Sequence, residues 1–265
     1  MAADETPSTR TELGSELVHR ADDAAITTLT LDSPENRNAL SSQLVGELAD
    51  HLAAIAGDDA TRSVVLTHSG TTFCAGADLA ESAGEGGPAK GTQRLVALLR
   101  QIIELPKPVV AKVEGNVRAG GLGLLAACDL AVAGLSSSFA FTEARLGLAP
   151  AIISLTVLPR LTDRAASRYY LTGDRFDAAE AERIGLITMA TDDPDVAVDA
   201  IAASLRSCSP QGLAASKQLT TRGLLASFDA DARELSDLSA GLFSSPDAQE
   251  GIASFLERRP PRWAG

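Results

Sequence analysis

The sequence predicts an α/β fold with a helical C-terminal region. Short apolar runs alternate with amphipathic stretches about every 45 residues as far as about residue 155, which is typical of parallel strands joined by right-handed crossovers. Beyond that point almost every apolar pattern has helical spacing. The chain has 265 residues, of which 45% are hydrophobic. A chain of that length and composition can bury the core of one large domain.

The first two thirds of the chain contain the predicted strands. Two β-like runs, 17–20 and 26–31, flank Asp22 and Asp23, which favours a hairpin. A helix is expected from Ser41, because Ser is a good cap and the apolar residues after it recur at spacings of three and four. Further strands are predicted at 64–67, 109–113, 130–133 and 187–190, further helices at 95–103 and 122–127, loops at 69–79 and 114–121, and a mobile loop at 82–91.

The last part of the chain is predicted to be helical. Helices are expected at 162–171, 178–184, 194–206, 210–226, 229–243 and 246–257. Residues 1–190 are therefore expected to form the core domain, with 1–12 as a frayed tail, and 191–265 a helical C-terminal region.

Charge and composition argue against several classes of partner. The chain carries 23 Lys and Arg against 35 Asp and Glu, a net charge of −12, which disfavours binding to nucleic acid. Its apolar stretches are too short to span a bilayer, and the polar N-terminus does not resemble a signal peptide. The three cysteines do not suggest a disulfide framework or a metal site. We therefore expect a cytoplasmic protein with no membrane span and no metal.

Familiar catalytic and cofactor motifs do not fit the sequence. The three histidines are scattered, and no His-Glu-x-x-His motif is present. The segment 121–126 matches the dinucleotide pattern G-x-G-x-x-A, but it does not follow its strand directly. Cys74 and His68 are expected to be packing and strand-end residues rather than a nucleophile and its base.

Two turns rich in small residues, 73–79 and 115–121, each follow a predicted buried strand. Small residues allow a ligand to approach the backbone and leave N–H groups free at a helix start. Two such turns facing each other could direct two N–H groups at one oxygen. That arrangement is an oxyanion hole, which stabilises an enolate or a tetrahedral intermediate.

An ordered series of motifs resembles the enoyl-CoA hydratase/isomerase (crotonase) family over about residues 12–263. The series comprises Phe73-Cys74-Ala75-Gly76-Ala77-Asp78, Lys107-Pro108-Val109-Val110-Ala111, the Gly-rich loop, Ala127-Cys128-Asp129-Leu130, Phe139-Ala140-Phe141-Thr142-Glu143, Gly147-Leu148-Ala149-Pro150, Leu171-Thr172-Gly173-Asp174, 178–187 and Phe255-Leu256-Glu257-Arg258-Arg259-Pro260. The resemblance implies a crotonase-like ββα spiral core.

The resemblance also implies an acyl-CoA thioester as substrate, with coenzyme A as part of the substrate rather than a separate cofactor. The backbone N–H groups of Ala75 and Gly120 are then expected to form the oxyanion hole. The residues expected to line the coenzyme A path are Arg37, Ala39, Ala75, Gly76, Ala77, Asp78, Leu79 and Gly120.

Glu143 is expected to be the catalytic acid–base group. It matches a family glutamate, and its neighbours in sequence are largely apolar, so burial should raise its pKa. The second family glutamate is missing, because its position is Gly123. The two-carboxylate mechanism of family hydratases therefore cannot be transferred as a whole.

Three functions stay open at this stage. A hydratase that works with a single glutamate comes first, and the segment 143–153 is similar to that of branched-chain hydratases such as methylglutaconyl-CoA hydratases. A Δ3,Δ2-enoyl-CoA isomerase comes second, because one base suffices to move a proton between two carbons. A catalytically weak acyl-CoA-binding protein is the third.

Arg118 and Arg145 could meet a second substrate carboxylate, but structural salt bridges are the preferred interpretation.

Family members assemble as trimers or paired trimers, so a homotrimer or hexamer is expected. Apolar residues on the C-terminal helices, which a small core would not easily cover, support this expectation. They are Leu235, Leu238, Leu242, Phe243, Ile252, Phe255 and Leu256.

Overall fold

The computed structural model describes residues 15–82 and 87–265. The strands in this part of the chain are β1 (Val18–Asp23), β2 (Ile26–Leu31), β3 (Ser63–His68), β4 (Thr72–Cys74), β5 (Val109–Val113), β6 (Asn116–Arg118), β7 (Leu130–Gly134), β8 (Ser138–Ala140), β9 (Phe176–Asp177) and β10 (Met189–Thr191). The helices are α1 (Ser42–Ala56), α2 (Leu79–Ser82), α3 (Gly87–Glu104), α4 (Gly120–Ala127), α5 (Ser154–Val157), α6 (Asp163–Thr172), α7 (Ala178–Arg183), α8 (Pro194–Arg206), α9 (Pro210–Phe243) and α10 (Pro246–Leu256). The tail predicted at 1–12 lies outside the described residues.

The strands form two sheets, and from β3 to β8 successive strands of the chain alternate between them. The large sheet has the order β1-β2-β3-β5-β7-β10, and the small sheet has the order β4-β6-β8-β9. Strands β3, β5 and β7 are parallel neighbours in the large sheet, and the strand after each of them joins the small sheet as β4, β6 and β8, again in parallel. This pattern confirms the predicted α/β fold and its repeating ββα unit. The predicted hairpin is also confirmed, since β1 pairs with β2 in antiparallel register.

Both faces of the large sheet are covered by apolar side chains. One face packs into the main core with helices α1, α3 and α4. The other face is closed by α8, whose Val198 and Ala202 contact Val65, Val110 and Val132. Coverage on both sides explains why the parallel strands are nearly continuous in apolar residues.

Several element boundaries differ from the prediction. The two helices predicted at 210–226 and 229–243 are one helix, α9. Leu224 and Phe228 lie one turn apart on its buried face, and the two residues between the predicted helices, 227 and 228, are neither Gly nor Pro. The loop predicted at 114–121 contains β6 and the start of α4. In the mobile loop predicted at 82–91, α3 already begins at Gly87, and residues 83–86 lie outside the described residues.

The C-terminal helices leave several apolar side chains exposed. Leu238 is 48% exposed, Phe255 49% and Leu256 58%.

Within the described residues, no helix is long and apolar enough to cross a membrane.

A buried lysine joins the long helix α9 to the core. The Lys217 side chain donates to the carbonyl oxygens of Ile102 and Lys107 at 2.8 and 2.9 Å, and its Nζ lies 2.8 Å from Asp129 Oδ2. The same carboxylate oxygen accepts the Val109 N–H at 2.7 Å. Burial lowers the pKa of Lys217, which the attraction of Asp129 partly offsets. One ammonium group therefore connects α9 with the end of α3, the start of β5 and the segment after α4.

Replacing Lys217 by Met should destabilise the protein strongly. The variant leaves Asp129 buried without its cation, and removal of one partner of a buried ion pair costs about 3–5 kcal/mol. Urea unfolding measures the loss. Lys90→Met is the matched control, because Lys90 is exposed, and it should change stability by less than about 0.5 kcal/mol. Equal stability of the two variants would contradict the role of the buried pair.

Candidate functional site

The candidate site lies at one edge of the small sheet. Strands β4, β6 and β8 are parallel neighbours, so the segments that leave their carboxyl ends emerge side by side. These segments are 75–78, 119–121 and 141–143, which contain the two small-residue turns and Glu143. Ligands commonly bind outside the carboxyl ends of parallel strands. The small sheet therefore brings together the three segments that the sequence singled out.

The first two segments touch without intervening side chains. A Cβ atom built on Gly76 would lie 2.8 Å from Ala119 Cβ and 3.1 Å from Gly120 N. Gly76 also has a φ of +94°, so only glycine fits there without strain. Ala119 has a φ of +46° although it carries a side chain. Such strain is tolerated where the surroundings hold the backbone in place, as they often do at functional sites.

The backbone N–H of Ala75 is not available to a ligand. It donates to the Arg37 carbonyl oxygen at 3.1 Å, so the prediction that Ala75 supplies an oxyanion donor is wrong. The physical reason is that 37–40 runs beside 75–77, with Leu40 N–H also donating to Gly76 O at 2.8 Å. That pairing, between segments distant in the sequence, had no local signal.

Ala77 and Gly120 carry N–H groups that have no acceptor in the described part of the chain. Gly120 is the first residue of α4, where helix geometry leaves N–H groups unpaired. Ala77 is exposed, and its nitrogen would lie 3.6 Å from a Cβ atom built on Gly120. The two donors are thus close neighbours, and the positive end of the α4 dipole adds to the field there.

The segment predicted to line the coenzyme A path at 37–39 lies next to this turn. Arg37 is exposed and has a φ of +53°, while Ala39 is buried. Asn38 is fully buried, and its side-chain amide donates to Thr72 O at 2.8 Å and accepts from Ser33 N–H at 2.7 Å. Asn38 therefore fixes this loop against β4. No local signal in the sequence distinguishes Asn38, because an Asn in a polar loop looks like any turn residue.

Asp78 and Leu79 lie at the start of α2. The Asp78 carboxylate accepts from the backbone N–H groups of Ala80 and Glu81, both at 3.0 Å, and from the Asn36 side chain at 2.8 Å. Asp78 thus caps α2 and joins it to the loop before 37. Leu79 is the first residue of this helix and is half-buried.

Glu143 is a buried carboxyl group without a counter-ion in the described residues. It begins a 3-10 turn, Glu143–Leu146, and is 9% exposed, and its Oε2 has no hydrogen-bond partner within the described structure. Desolvation raises the pKa of Glu143 from 4.5 to about 7. The predicted cause of the raised pKa is confirmed. A carboxyl group with this pKa can accept and donate a proton near neutral pH.

Tyr170 lies beside Glu143. Its ring packs on Phe141 with 4.8 Å between centroids, and its hydroxyl is 3.3 Å from Ser154 Oγ. Burial is the main cause that raises the pKa of Tyr170, and the charge of Glu143 raises it further. Tyr170 therefore stays a neutral phenol and closes the apolar side of the Glu143 environment.

The two arginines differ in their partners. Arg145 forms the expected salt bridge, with Asp174 at 3.0 Å. For Arg118 the expected salt bridge is wrong, because its guanidinium donates to Val117 O, Ser138 O and Oγ, and Asn116 Oδ1 instead. Neutral oxygens along β6 and β8 satisfy this cation.

Cys74 and His68 have the packing roles that the sequence predicts. Cys74 is fully buried, and burial raises the pKa of its thiol to about 12, so it is not a thiolate at neutral pH. His68 is the last residue of β3, and its ring packs edge-on against Phe73 at 5.6 Å.

Replacing Gly76 by Ala should disrupt the site. The added Cβ would push against Ala119 and Gly120 and displace the donors, and a shift of about 1 Å can cost about 10²-fold in rate. Overpacking should also cost about 1–3 kcal/mol in a urea unfolding experiment. Gly46→Ala in α1 is the control, because its Cβ meets no atom within 4 Å. A free energy of unfolding equal to that of Gly46→Ala would contradict the close contact.

Glu143 should make stability depend on pH. Glu143 ionises near pH 4.5 in the unfolded chain and near pH 7 in the folded chain. Its contribution to the free energy of unfolding is therefore fully present below pH 4.5 and is lost as the pH rises through 7. Glu143→Gln cannot ionise. It should therefore gain stability relative to the wild type, by up to about 3 kcal/mol between pH 4.5 and 8. Urea unfolding at several pH values tests this, and a constant difference would show that Glu143 is not desolvated.

Comparisons with known proteins agree with this architecture. The family model for enoyl-CoA hydratase/isomerase matches residues 21–265. A crystal structure of an enoyl-CoA hydratase from Mycobacterium avium is 53% identical, with a TM-score of 0.88 over 94% of this chain and 100% of that chain. An enoyl-CoA hydratase/isomerase structure from Marinobacter aquaeolei is 32% identical, with a TM-score of 0.72 over 94% of this chain and 100% of that chain. The 1,2-epoxyphenylacetyl-CoA isomerase of Escherichia coli K12 is 31% identical over 91% of this chain and 95% of that protein. The chain therefore belongs to the enoyl-CoA hydratase/isomerase (crotonase) family.

Proposed function

We propose that the protein is an enoyl-CoA hydratase that adds water to the double bond of a 2-enoyl-CoA thioester. The observation that carries the proposal is Glu143, a buried carboxyl group with an unpartnered oxygen and a pKa of about 7. It follows β8 at the same sheet edge as two backbone N–H groups that have no acceptor among the described residues. Relatives that bear the name enoyl-CoA hydratase support the choice of reaction.

In this mechanism the N–H groups of Ala77 and Gly120 hold the thioester oxygen. The oxygen of water bonds to carbon 3, and the electrons of the double bond move towards the thioester oxygen to give an enolate. Ionised Glu143 takes one proton from the water and delivers it to carbon 2, so all atoms of the water end in the product. The two N–H donors stabilise the charge that develops on the oxygen, which is where preorganised dipoles lower a barrier most.

The same proposal gives the coenzyme A part of the substrate a path along 37–40 and 75–79. These segments are held together by backbone hydrogen bonds from Leu40 N–H to Gly76 O and from Ala75 N–H to Arg37 O.

We also propose assembly as a homotrimer or hexamer through the exposed apolar side chains of α9 and α10, with light scattering as the test.

An isomerase is the second candidate. Gly123 provides no second acid, and the side chain of Ile153 packs directly against it. Moving a double bond from carbon 3 to carbon 2 requires only that one base take a proton from carbon 2 and return it to carbon 4. Glu143 alone could do both.

Two absorbance measurements distinguish the candidates. Loss of the conjugated enoyl-thioester absorbance of crotonyl-CoA reports hydration, and its appearance from a 3-enoyl-CoA reports isomerisation. Hydration much faster than isomerisation supports the hydratase. The reverse supports the isomerase, and binding without turnover of either substrate would overturn both and leave an acyl-CoA-binding protein.

Glu143→Gln should lower turnover of the preferred substrate by about 10²–10⁴-fold, because a single acid–base group typically supplies that factor. Binding of an acyl-CoA, measured by calorimetry, should persist, since the oxyanion donors are backbone groups. Glu104→Gln is the control, because Glu104 is an exposed carboxylate at the end of α3. Near-full activity of Glu143→Gln would assign Glu143 a structural role only.

A further inference from the structure

Arg118 lies on the small sheet, beside the strands that lead into the candidate site. It is the last residue of β6, and the turn with the Gly120 N–H group follows it directly. Val117 and its partner Phe139 on β8 are fully buried in the core. Because side chains alternate along a strand, Arg118 and Ser138 project from the opposite face of this sheet.

The Arg118 guanidinium bridges β6 and β8. On β8 it donates to the carbonyl oxygen of Ser138 and, at 2.6 Å, to the hydroxyl of the same residue. On its own strand it donates to Val117 O and Asn116 Oδ1, both at 2.9 Å. The Ser138 hydroxyl also lies 3.0 Å from Asn116 Oδ1. A guanidinium presents its donors in a rigid fork, so these bonds fix the two strands relative to each other.

Few other hydrogen bonds can fix β6 against β8, because both strands are short. Each has three residues, which limits the number of ladder bonds between them. Burial lowers the pKa of Arg118, and the positive charge of Arg175 lowers it further. Taking a cation out of water is costly unless it is well hydrogen-bonded. The charge-assisted bonds of Arg118 are therefore a large part of what joins the two strands.

Two groups of the candidate site extend directly from this bridge. One residue after Arg118, the Ala119 N–H donates to Ala140 O at 3.3 Å. Gly120 comes next on that side, and its N–H has no acceptor in the described part of the chain. On the other side Ala140 ends β8, and Glu143 lies three residues further on. The distance between the proposed donor and the proposed acid therefore depends on how β6 is fixed against β8.

We propose that Arg118 is a positioning residue, which places the Gly120 N–H group relative to Glu143 by fixing β6 against β8. The inference rests on the proposed function, because it concerns two groups that act on the substrate there. Without the guanidinium the turn after β6 should shift, so the N–H group should meet the thioester oxygen less directly. The transition state should lose more stabilisation than the bound substrate, because its oxygen carries more charge.

The first experiment measures turnover and binding separately. Arg118→Met should lower kcat, counted per acyl-CoA-binding site, by at least about 10-fold. The Kd of butyryl-CoA, a saturated thioester that cannot be hydrated, should change by less than about 3-fold. Arg160→Met is the matched control, because Arg160 also donates to neutral carbonyl oxygens, those of Ala126 and Cys128 at 3.3 Å, but at the far end of α4. An unchanged kcat in Arg118→Met, or an equal loss in the control, would overturn the proposal.

Infrared spectroscopy tests the N–H donor directly and does not depend on the fraction of folded protein. The probe is butyryl-CoA that is isotope-labelled at the thioester carbonyl. Hydrogen bonds to a carbonyl oxygen lower its stretching frequency, so binding to the wild type should shift the labelled band downwards. The shift should be smaller in Arg118→Met and unchanged in Arg160→Met. Equal shifts in the wild type and in Arg118→Met would contradict a positioning role.

Ser138→Ala replaces Arg118→Met if that variant does not fold. It removes one of the two acceptors on β8 and leaves the guanidinium in place. It should reduce both kcat and the infrared shift, and wild-type values of both would overturn the proposal. Wild-type protein that turns over neither crotonyl-CoA nor a 3-enoyl-CoA would overturn the proposed function, and the role of Arg118 with it. Turnover by the wild type and an unchanged Arg118→Met would overturn only the role of Arg118.

Discussion

The site depends on one close contact, the approach of the turn after β4 to the first residues of α4. Gly76 and Gly120 meet there at a distance that leaves no room for a Cβ atom on Gly76. The contact exists because β4 and β6 are parallel neighbours, so their carboxyl ends release two turns side by side. It leaves two backbone N–H groups, those of Ala77 and Gly120, without acceptors in the described structure. The strained φ of Ala119 is the conformational cost of this arrangement.

Rigid supports on either side hold that contact. Asn38 fixes the loop at 37–40 to β4, and the loop in turn occupies the Ala75 N–H. Behind α4, Asp129 and Lys217 connect the following segment to α3, β5 and α9. A buried ion pair is weak evidence for net stability, but it allows only one arrangement of the groups that it joins. These polar contacts connect the segments before and after the close contact to the rest of the fold.

The proposed N–H donors and the proposed acid lie in surroundings of different polarity. The proposed donors are backbone groups, one of them at the start of α4. The proposed acid, Glu143, is buried, and desolvation raises its pKa. Ile153 fills the space in front of Gly123. The proposed polar groups of the site, within the described residues, are therefore one carboxyl group and two N–H donors. A site of this kind depends on the placement of few groups, so small changes in packing should alter the reaction more than the binding of the thioester.

The sequence by itself determined the fold class, the hairpin, most helices and the two small-residue turns of the site, because periodicity, caps and small-residue turns are local properties of the chain. The third segment was identified by its resemblance to the family, and the apolar neighbours of Glu143 in the sequence predicted its burial. The tertiary structure alone decided which N–H groups are available, since Ala75 donates to a loop that is remote in sequence and Ala77 does not. The short strands β4, β6 and β8 were missed as well, because three residues are too few to show an alternating pattern. That Ile153 fills the space in front of Gly123 is likewise a contact between distant segments, and pairwise packing of this kind leaves no trace in the periodicity of either one.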